Sequence, residues 1–569
     1  MSTLVGRLLT LLFLQLIQPQ LGGSIPVRGN YPWSVVLCKF RDKPQAPKKA
    51  KWFLNWMTDE LRDGSILRYF RAASNGLYSI YDSDVHGWFT LPYTLEGVRY
   101  LADHDNYLNE NFAHDKLKMF YKLKSICLNY AKLQGVKLHE RVITVVNEDS
   151  TAVFCRESGV LLTPKYIATS ALAHEMTHSF NIGHSYSDQP VKIFPYAVVG
   201  EYDDKYDLMS TSNAYMYRTP YGLSGPSLNG PHLDYLGWLP INRVRYFGRN
   251  NAEEELLRVA SVSVPHHFSR DYLLVLIPYD RDNPMNVYTV EFRTPSNNDK
   301  GIPNGAVVIH RIEKRRNHFF SYVVTHGKDF YELVAGTEWV QFLDKTAEGI
   351  FQYIKVRVES VNKRAHTADI RVISTFRPDE CLIDETPRLI DDTDLTCVTV
   401  AEKQQITQSN LLQHLRTDRT GDCRSGFVQR RAVPGDSSCV TGREKNAIDT
   451  QMERFRRRQQ FFQLQSWGLN KCKEGFGWRQ LDLYDYVCVT ADRQRQARLE
   501  NSRASSKKLP SGACRAGSVR REAFFGDSAC TTAEEQSRIR EDNQKAKEAF
   551  EYYGFFNGVD SVFGYYDQG

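Results

Sequence analysis

The sequence predicts a multidomain protein: an α/β domain, a β-sandwich middle domain, and a C-terminal array of four small disulfide-plus-helix repeats. Three observations carry this reading. Helix-like and strand-like runs alternate up to about residue 240, strand-like runs dominate residues 241–376, and eight of the eleven cysteines follow residue 380 at a fixed spacing. A chain of 569 residues is too long for one ordinary domain. Its 41% hydrophobic and 25% charged residues exclude a mainly disordered protein. The 73 basic and 67 acidic residues are spread evenly, which excludes a dedicated nucleic-acid or membrane-surface binder. The expected partition is 1–24 leader, 25–240 α/β domain, 241–378 sandwich and 379–569 repeats.

Arg7 precedes an apolar run over residues 8–17, and the small residues Gly22, Gly23 and Ser24 follow. That order reads as a secretory signal peptide. The rival is a membrane anchor, but the run falls short of the roughly 20 apolar residues a span needs. No later stretch is long enough to span either, and no Asn-x-Ser/Thr acceptor for N-glycosylation occurs.

Within the α/β domain, residues 33–40 read as the first strand, and residues 50–61 and 116–133 as helices. Residues 142–147, 152–154 and 159–163 read as further strands, the last at the sheet edge. Pairing of Cys127 with Cys155 would leave Cys38 free in a strand-like VVLCKF setting, but the sequence does not settle how these three pair. A buried core cysteine and a thiol held on a metal are the two readings of Cys38.

The chemistry concentrates in a helix read over residues 166–180, which contains His174-Glu175-Met176-Thr177-His178. Residues four apart share one helical face, so both imidazoles reach one metal ion. Glu175 lies about 100° round the helix, beside the metal without ligating it. His184 completes H-E-x-x-H-x-x-N-x-x-H. A helix with incidental histidines would show this pattern in roughly one such chain in a thousand. Further on, Asp207-Leu208-Met209-Ser210 supplies a Met at the distance of a Met-turn.

With these residues the sequence resembles the metzincin clan of zinc endopeptidases, in the style of the gametolysin-like and immune-inhibitor-A-like secreted groups. Glu201-Tyr202-Asp203-Asp204 and Leu236-Gly237-Trp238 add to the likeness, which covers roughly residues 30–376. The resemblance implies an α/β metzincin-like catalytic domain holding one catalytic Zn²⁺. Its ligands would be His174, His178 and His184, with Glu175 as general base and Met209 as the structural Met-turn residue. It also implies an edge strand that pairs with extended peptide substrates. Two positions depart from the family pattern. Asn181 stands where the family has a helix-ending Gly; Asn is the next most tolerant residue for that left-handed conformation. Thr211 stands where some members carry a Tyr, and Tyr215 or Tyr217 is the candidate substitute.

Six strand-like runs separated by turns such as Asp282-Asn283-Pro284 make up residues 241–376. The stretch through residues 288–293, 301–303 and 307–310 resembles the β-domain behind the catalytic domain of some secreted metalloproteases. Glu291 and His310 in these strands read as structural residues.

The cysteines after residue 380 form the pairs Cys381/Cys397, Cys423/Cys439, Cys472/Cys488 and Cys514/Cys530, each 16 apart. An Arg falls seven after each first Cys and an Asp three before each second: Arg388/Asp394, Arg430/Asp436, Arg479/Asp485 and Arg521/Asp527. A disulfide inside each unit is expected, the rival zinc reading lacking any Cys-x-x-Cys or nearby His. The Arg and Asp read as a structural ion pair, and Thr441/Glu444 and Thr532/Glu535 as capping boxes opening a helix.

The expected function is hydrolysis of protein or peptide substrates outside the cell. The rival is a secreted binding or adhesion protein with an inactive protease-like domain, whose repeats engage a matrix or cell-surface ligand. Two consequences are expected. A chain ending near residue 378 folds and keeps activity. Secretion occurs without a large removable prodomain, residues 25–32 covering the cleft or anchoring near the active-site helix, so that the active form begins near residue 25.

Overall fold

A five-stranded sheet carries the first part of the protein. Its order is Asp84–Thr90, Trp33–Lys39, Arg141–Val146, Gly159–Leu162, Val153–Arg156. The computed structural model describes residues 27–148, 153–156, 159–326, 330–551 and 553–556, so the leader expected at 1–24 lies outside the described residues. The first four strands run parallel and the last antiparallel. Trp33–Lys39 is almost wholly buried, as an interior parallel strand must be. The edge is Val153–Arg156 and not the stretch from Gly159. The four residues Gly159–Leu162 are all buried apolar or small, which suits an interior position, whereas Val153, Phe154 and Cys155 are half-buried, buried and half-buried in turn.

That alternation also decides the cysteine pairing, which the sequence leaves open. Val36, Cys38 and Phe40 point to the face covered by helix Lys118–Leu133, as do Phe154 and Leu161. Cys155, next to Phe154, faces the other side, out of reach of Cys127. Cys38 is therefore joined to Cys127, across 89 residues, and Cys155 is the free cysteine. Closing a loop of that length stabilises by about 4–5 kcal/mol in the chain-entropy model. A disulfide-bonded, fully buried Cys38 cannot act as a latency thiol.

The opposite face of the sheet packs against helices Ala50–Thr58, Ile66–Ala73 and Thr169–His178 in a core that includes Trp33, Phe53, Trp56, Ile143, Leu172 and Met176. The chain enters this core early. Val27 N–H donates to Leu236 O at 3.0 Å, Trp238 Nε1 donates to Val27 O at 2.7 Å, and Gly29–Asn30 pairs with Tyr78–Ser79. Residues 27–30 are thus structural and do not lie across a cleft.

Two further sheets face each other. One is antiparallel, in the order Glu254–Ala260, Thr367–Ser374, Phe351–Asn362, Glu338–Lys345. The other runs Val244–Tyr246, Leu274–Pro278, Val287–Arg293, Ala306–Arg315, His318–Val323. It recruits Tyr186–Ser187 and Gly554–Phe555 from outside residues 241–378. A second apolar core, including Val275, Phe292, Ile309, Val356 and Ile370, fills the space between them.

Beyond residue 380 lie four disulfide-closed hairpins, each leading into a helix: Val400–Leu411, Gly442–Gln459, Ala491–Arg503 and Ala533–Ala549. All four expected disulfides are present. Closing a loop this short is worth about 3 kcal/mol each. Capping boxes form at Thr441/Glu444 and Thr532/Glu535, and a third at Thr399/Glu402. Each Arg is buried and grips its Asp through Nε, at 2.7–2.9 Å. Nη2 donates to the same Asp, and a further N–H reaches a neighbouring helix: Arg388 to Gln451, Arg430 to Asn410, Arg479 to Asn543 and Arg521 to Asn501. Segments one and two therefore clasp each other, as do three and four. This explains why the first cysteines are 42, 49 and 42 residues apart: the extra residues fall between the two pairs.

Those extra residues, together with parts of the first and third units, bind the array to the rest. Phe461, Leu469, Trp478 and Tyr486 join the same apolar core as Leu236, Trp238 and Leu276. Leu469 N–H donates to Asp234 at 3.0 Å, Tyr486 Oη to Leu239 O at 2.7 Å, and Ile241 N–H to Leu483 O at 2.7 Å. Arg28 pairs with Asp482, Arg281 with Glu385 and Arg458 with Asp282. A shared core of this kind argues against the expectation that residues up to 378 are self-sufficient. No described helix is long and apolar enough to cross a membrane.

The disulfide arrangement has a direct readout. Ten of the eleven cysteines are bridged, so unfolding without reductant is expected to release one reactive thiol per chain, at Cys155. In the native protein that thiol reacts slowly, because burial and then the neighbouring Glu175 push it up to about 12. Alkylation followed by peptide mapping checks this; label on Cys38 would contradict it.

Candidate metal centre

Helix Thr169–His178 brings His174 and His178 to one face a turn apart. The helix ends at once: Asn181 adopts φ 59°, the left-handed conformation expected of it, and the chain doubles back. His184 then faces the helix, with ring centroids 5.5 Å from His174 and 5.1 Å from His178. One nitrogen from each ring lies within 4.8 Å of the others, the one cluster of three or more such groups among the described residues.

The second nitrogen of every ring is engaged elsewhere. Nδ1 of His174 meets Leu208 O at 3.1 Å, Nδ1 of His178 meets Ile182 O at 2.9 Å, and Nδ1 of His184 meets Glu201 Oε1 at 2.6 Å. A carbonyl only accepts, so Nδ1 of His174 and His178 carries the proton and Nε2 presents a lone pair. Those two Nε2 atoms stand 3.1 Å apart. Two facing lone pairs repel unless a cation lies between them. Tetrahedral zinc with bonds of 2.0–2.1 Å would set its ligand nitrogens about 3.3 Å apart. Burial pushes His174 down to about 3, with His184 adding to the effect, and holds His178 well below the usual histidine range. Both rings thus stay neutral, the form a metal binds. The donor set fits a zinc ion.

Glu175 is buried at 7% exposure and accepts a hydrogen bond from the Cys155 backbone N–H on the edge strand. Burial pushes its carboxyl up to about 8, while that hydrogen bond opposes the shift. A carboxylate destabilised in this way has the basicity a general base needs near neutral pH. The outer side of Val153–Arg156 pairs with no other strand among the described residues, and its Cys155 N–H is taken by Glu175.

The floor of the site is the segment Leu208–Asn213. Met209 is fully buried in the core with Leu172 and Met176, and Leu208 supplies the carbonyl that orients His174. Beneath it lies a buried polar layer. Asp207 pairs with His232 at 2.7 Å, and Asp204 with His310 at 2.9 Å, all four fully buried. Burial alone would lower His310, but Asp204 outweighs it and keeps its pKa raised. Glu291 lies 3.7 Å from His310 and 3.5 Å from Arg293 in the same layer. His310 and Glu291 therefore belong to this buried polar layer and stand outside the histidine cluster.

Two residues stand at the site without having been singled out for a role. Glu201 orients His184, as a carboxylate behind a metal-binding imidazole does. Tyr202, at φ 64°, turns its hydroxyl to 3.2 Å from His184 Nε2. Burial and then Glu201 raise its pKa, so the phenol keeps its proton. The candidates Tyr215 and Tyr217 lie elsewhere: Tyr215 packs on Tyr206, and Tyr217 donates to Asp63. Phe194 and the exposed Tyr196 flank Tyr202 and extend an aromatic rim from the site. Compared with models of known protein families and with curated proteins, the chain matches none.

Proposed function

We propose that the protein is a secreted zinc endopeptidase with a metzincin-like catalytic domain, acting on protein or peptide substrates. The observation that supports this most is the convergence of three imidazoles, each with its Nδ1 engaged by a backbone or carboxylate oxygen, beside a buried Glu175. His174, His178 and His184 would hold the ion. An ion held there would supply Lewis acidity, lowering the pKa of a bound water towards ~7 and polarising a scissile carbonyl. Glu175 takes the water's proton during attack and passes it to the leaving amine. The edge strand Val153–Arg156 aligns the substrate backbone and, through the Cys155 N–H, holds Glu175 in place. Tyr202 donates its hydroxyl hydrogen to the oxygen that gains charge in the transition state. Five disulfides suit an oxidising, extracellular compartment, in line with the leader read from the sequence.

The test is cleavage of a mixed peptide pool by the purified protein, with and without a zinc chelator. Cleavage that stops with the chelator and returns with added zinc is expected. No cleavage under any condition would favour the binding-protein reading, with the repeats engaging a matrix or cell-surface ligand. Tyr202→Phe is expected to lower kcat by about 10²-fold with little change in KM, since its hydroxyl acts on transition-state charge. An unchanged kcat would remove Tyr202 from the mechanism.

A further inference from the structure

We propose that the segment Tyr553–Phe556, which follows the last helix of the array, is a positioning element of the metal centre, holding the Asn181 turn so that His184 stays within the ligand set. The inference rests on the zinc reading above. Gly554–Phe555 lies parallel to His318–Val323, with Gly554 opposite His318 and Phe555 opposite Phe319. One side of this strand bonds the sheet, Phe556 N–H donating to Phe319 O at 2.9 Å. The other side bonds the turn, Phe555 N–H donating to Asn181 O, also at 2.9 Å. The approach is close: a Cβ at position 554 would lie 3.1 Å from the Asn181 Cβ.

Asn181 is the left-handed residue that returns the chain towards His184, a conformation that costs about 1–2 kcal/mol for a residue with a side chain. The bond to Phe555 holds its carbonyl in that strained state. The Phe555 side chain, 2% exposed, stacks edge-on against His232 at 4.4 Å. His232 is the partner of Asp207, from which the Met209 segment starts. One residue therefore braces both the turn before His184 and the floor behind His174. The segment is itself pinned to the third disulfide unit, where Glu551 N–H donates to Lys471 O at 3.0 Å and Lys473 N–H to Ala549 O at 2.9 Å. The array thereby reaches the metal site through one short strand.

The test measures zinc release from the full-length protein into excess chelator, followed with a chromogenic zinc indicator. Phe555→Ala and Gly554→Val are expected to release zinc at least tenfold faster than wild type, and Phe555→Leu to restore most of the retention. Val356→Ala, in the remote core between the two facing sheets, controls for general loss of stability and is expected to release zinc at the wild-type rate. Wild-type release from Phe555→Ala would overturn the inference, as would equal acceleration in Val356→Ala. A wild-type protein that binds no zinc would instead sink the metal reading beneath it, a result distinct from either.

Discussion

Replacing Glu175 with Gln is expected to leave zinc bound and to lower peptide turnover by about 10²–10⁴-fold. Gln has the same shape and can still accept the Cys155 N–H bond that positions Glu175. It cannot take a proton from water, and the neutral amide removes the basicity that burial confers on the carboxylate. His178→Ala should behave differently. It deletes a ligand, so zinc and activity are lost together. Metal content and turnover measured on both variants separate the roles: full turnover in Glu175→Gln, or loss of its zinc, would show that Glu175 is not the base.

A chain ending at residue 378 is expected to be recovered insoluble or without a cooperative thermal transition. The cut removes the array side of the main core and uncovers parts of Leu236, Trp238, Leu239 and Leu276, all buried in the intact protein. Re-exposing such side chains costs roughly 1.5–3 kcal/mol each if complete, and a whole domain is stable by only about 5–15 kcal/mol. Asp234 would also lose the Leu469 N–H and the Asn470 amide that satisfy it inside the fold. Soluble yield and melting of the shortened chain check this. A shortened protein with the melting temperature of the full chain would show that the two parts are independent after all.

The histidine cluster was legible because its spacing is local. His174 and His178 sit four apart on one helix, and His184 follows a single turn whose Asn181 takes the one conformation that brings the chain back. The four 16-residue cysteine spacings were legible for the same reason, a short loop leaving a cysteine few other partners. What sequence could not show depends on contacts between distant segments. Cys38 and Cys127 are 89 residues apart, and their pairing depends on which face of the sheet each strand residue takes. Glu201 reaches His184 across a 17-residue loop that has no periodicity to read. The edge position of Val153–Arg156 is set by an antiparallel return that its composition alone does not announce. Gly554–Phe555 is a strand of two residues, too short for any alternation, and it exists only because a sheet edge and the Asn181 turn lie on either side of it.

Three histidines of one short motif are proposed to hold a single zinc ion. Elemental analysis of the purified, dialysed protein tests it most directly, with His184→Ala measured beside it. The expected result is one zinc per chain in the wild type and a small fraction of that in the variant, because His184 is the ligand that depends on the Asn181 turn. Wild-type protein free of zinc after growth and purification with zinc present, or a variant that keeps a full equivalent, would contradict the account.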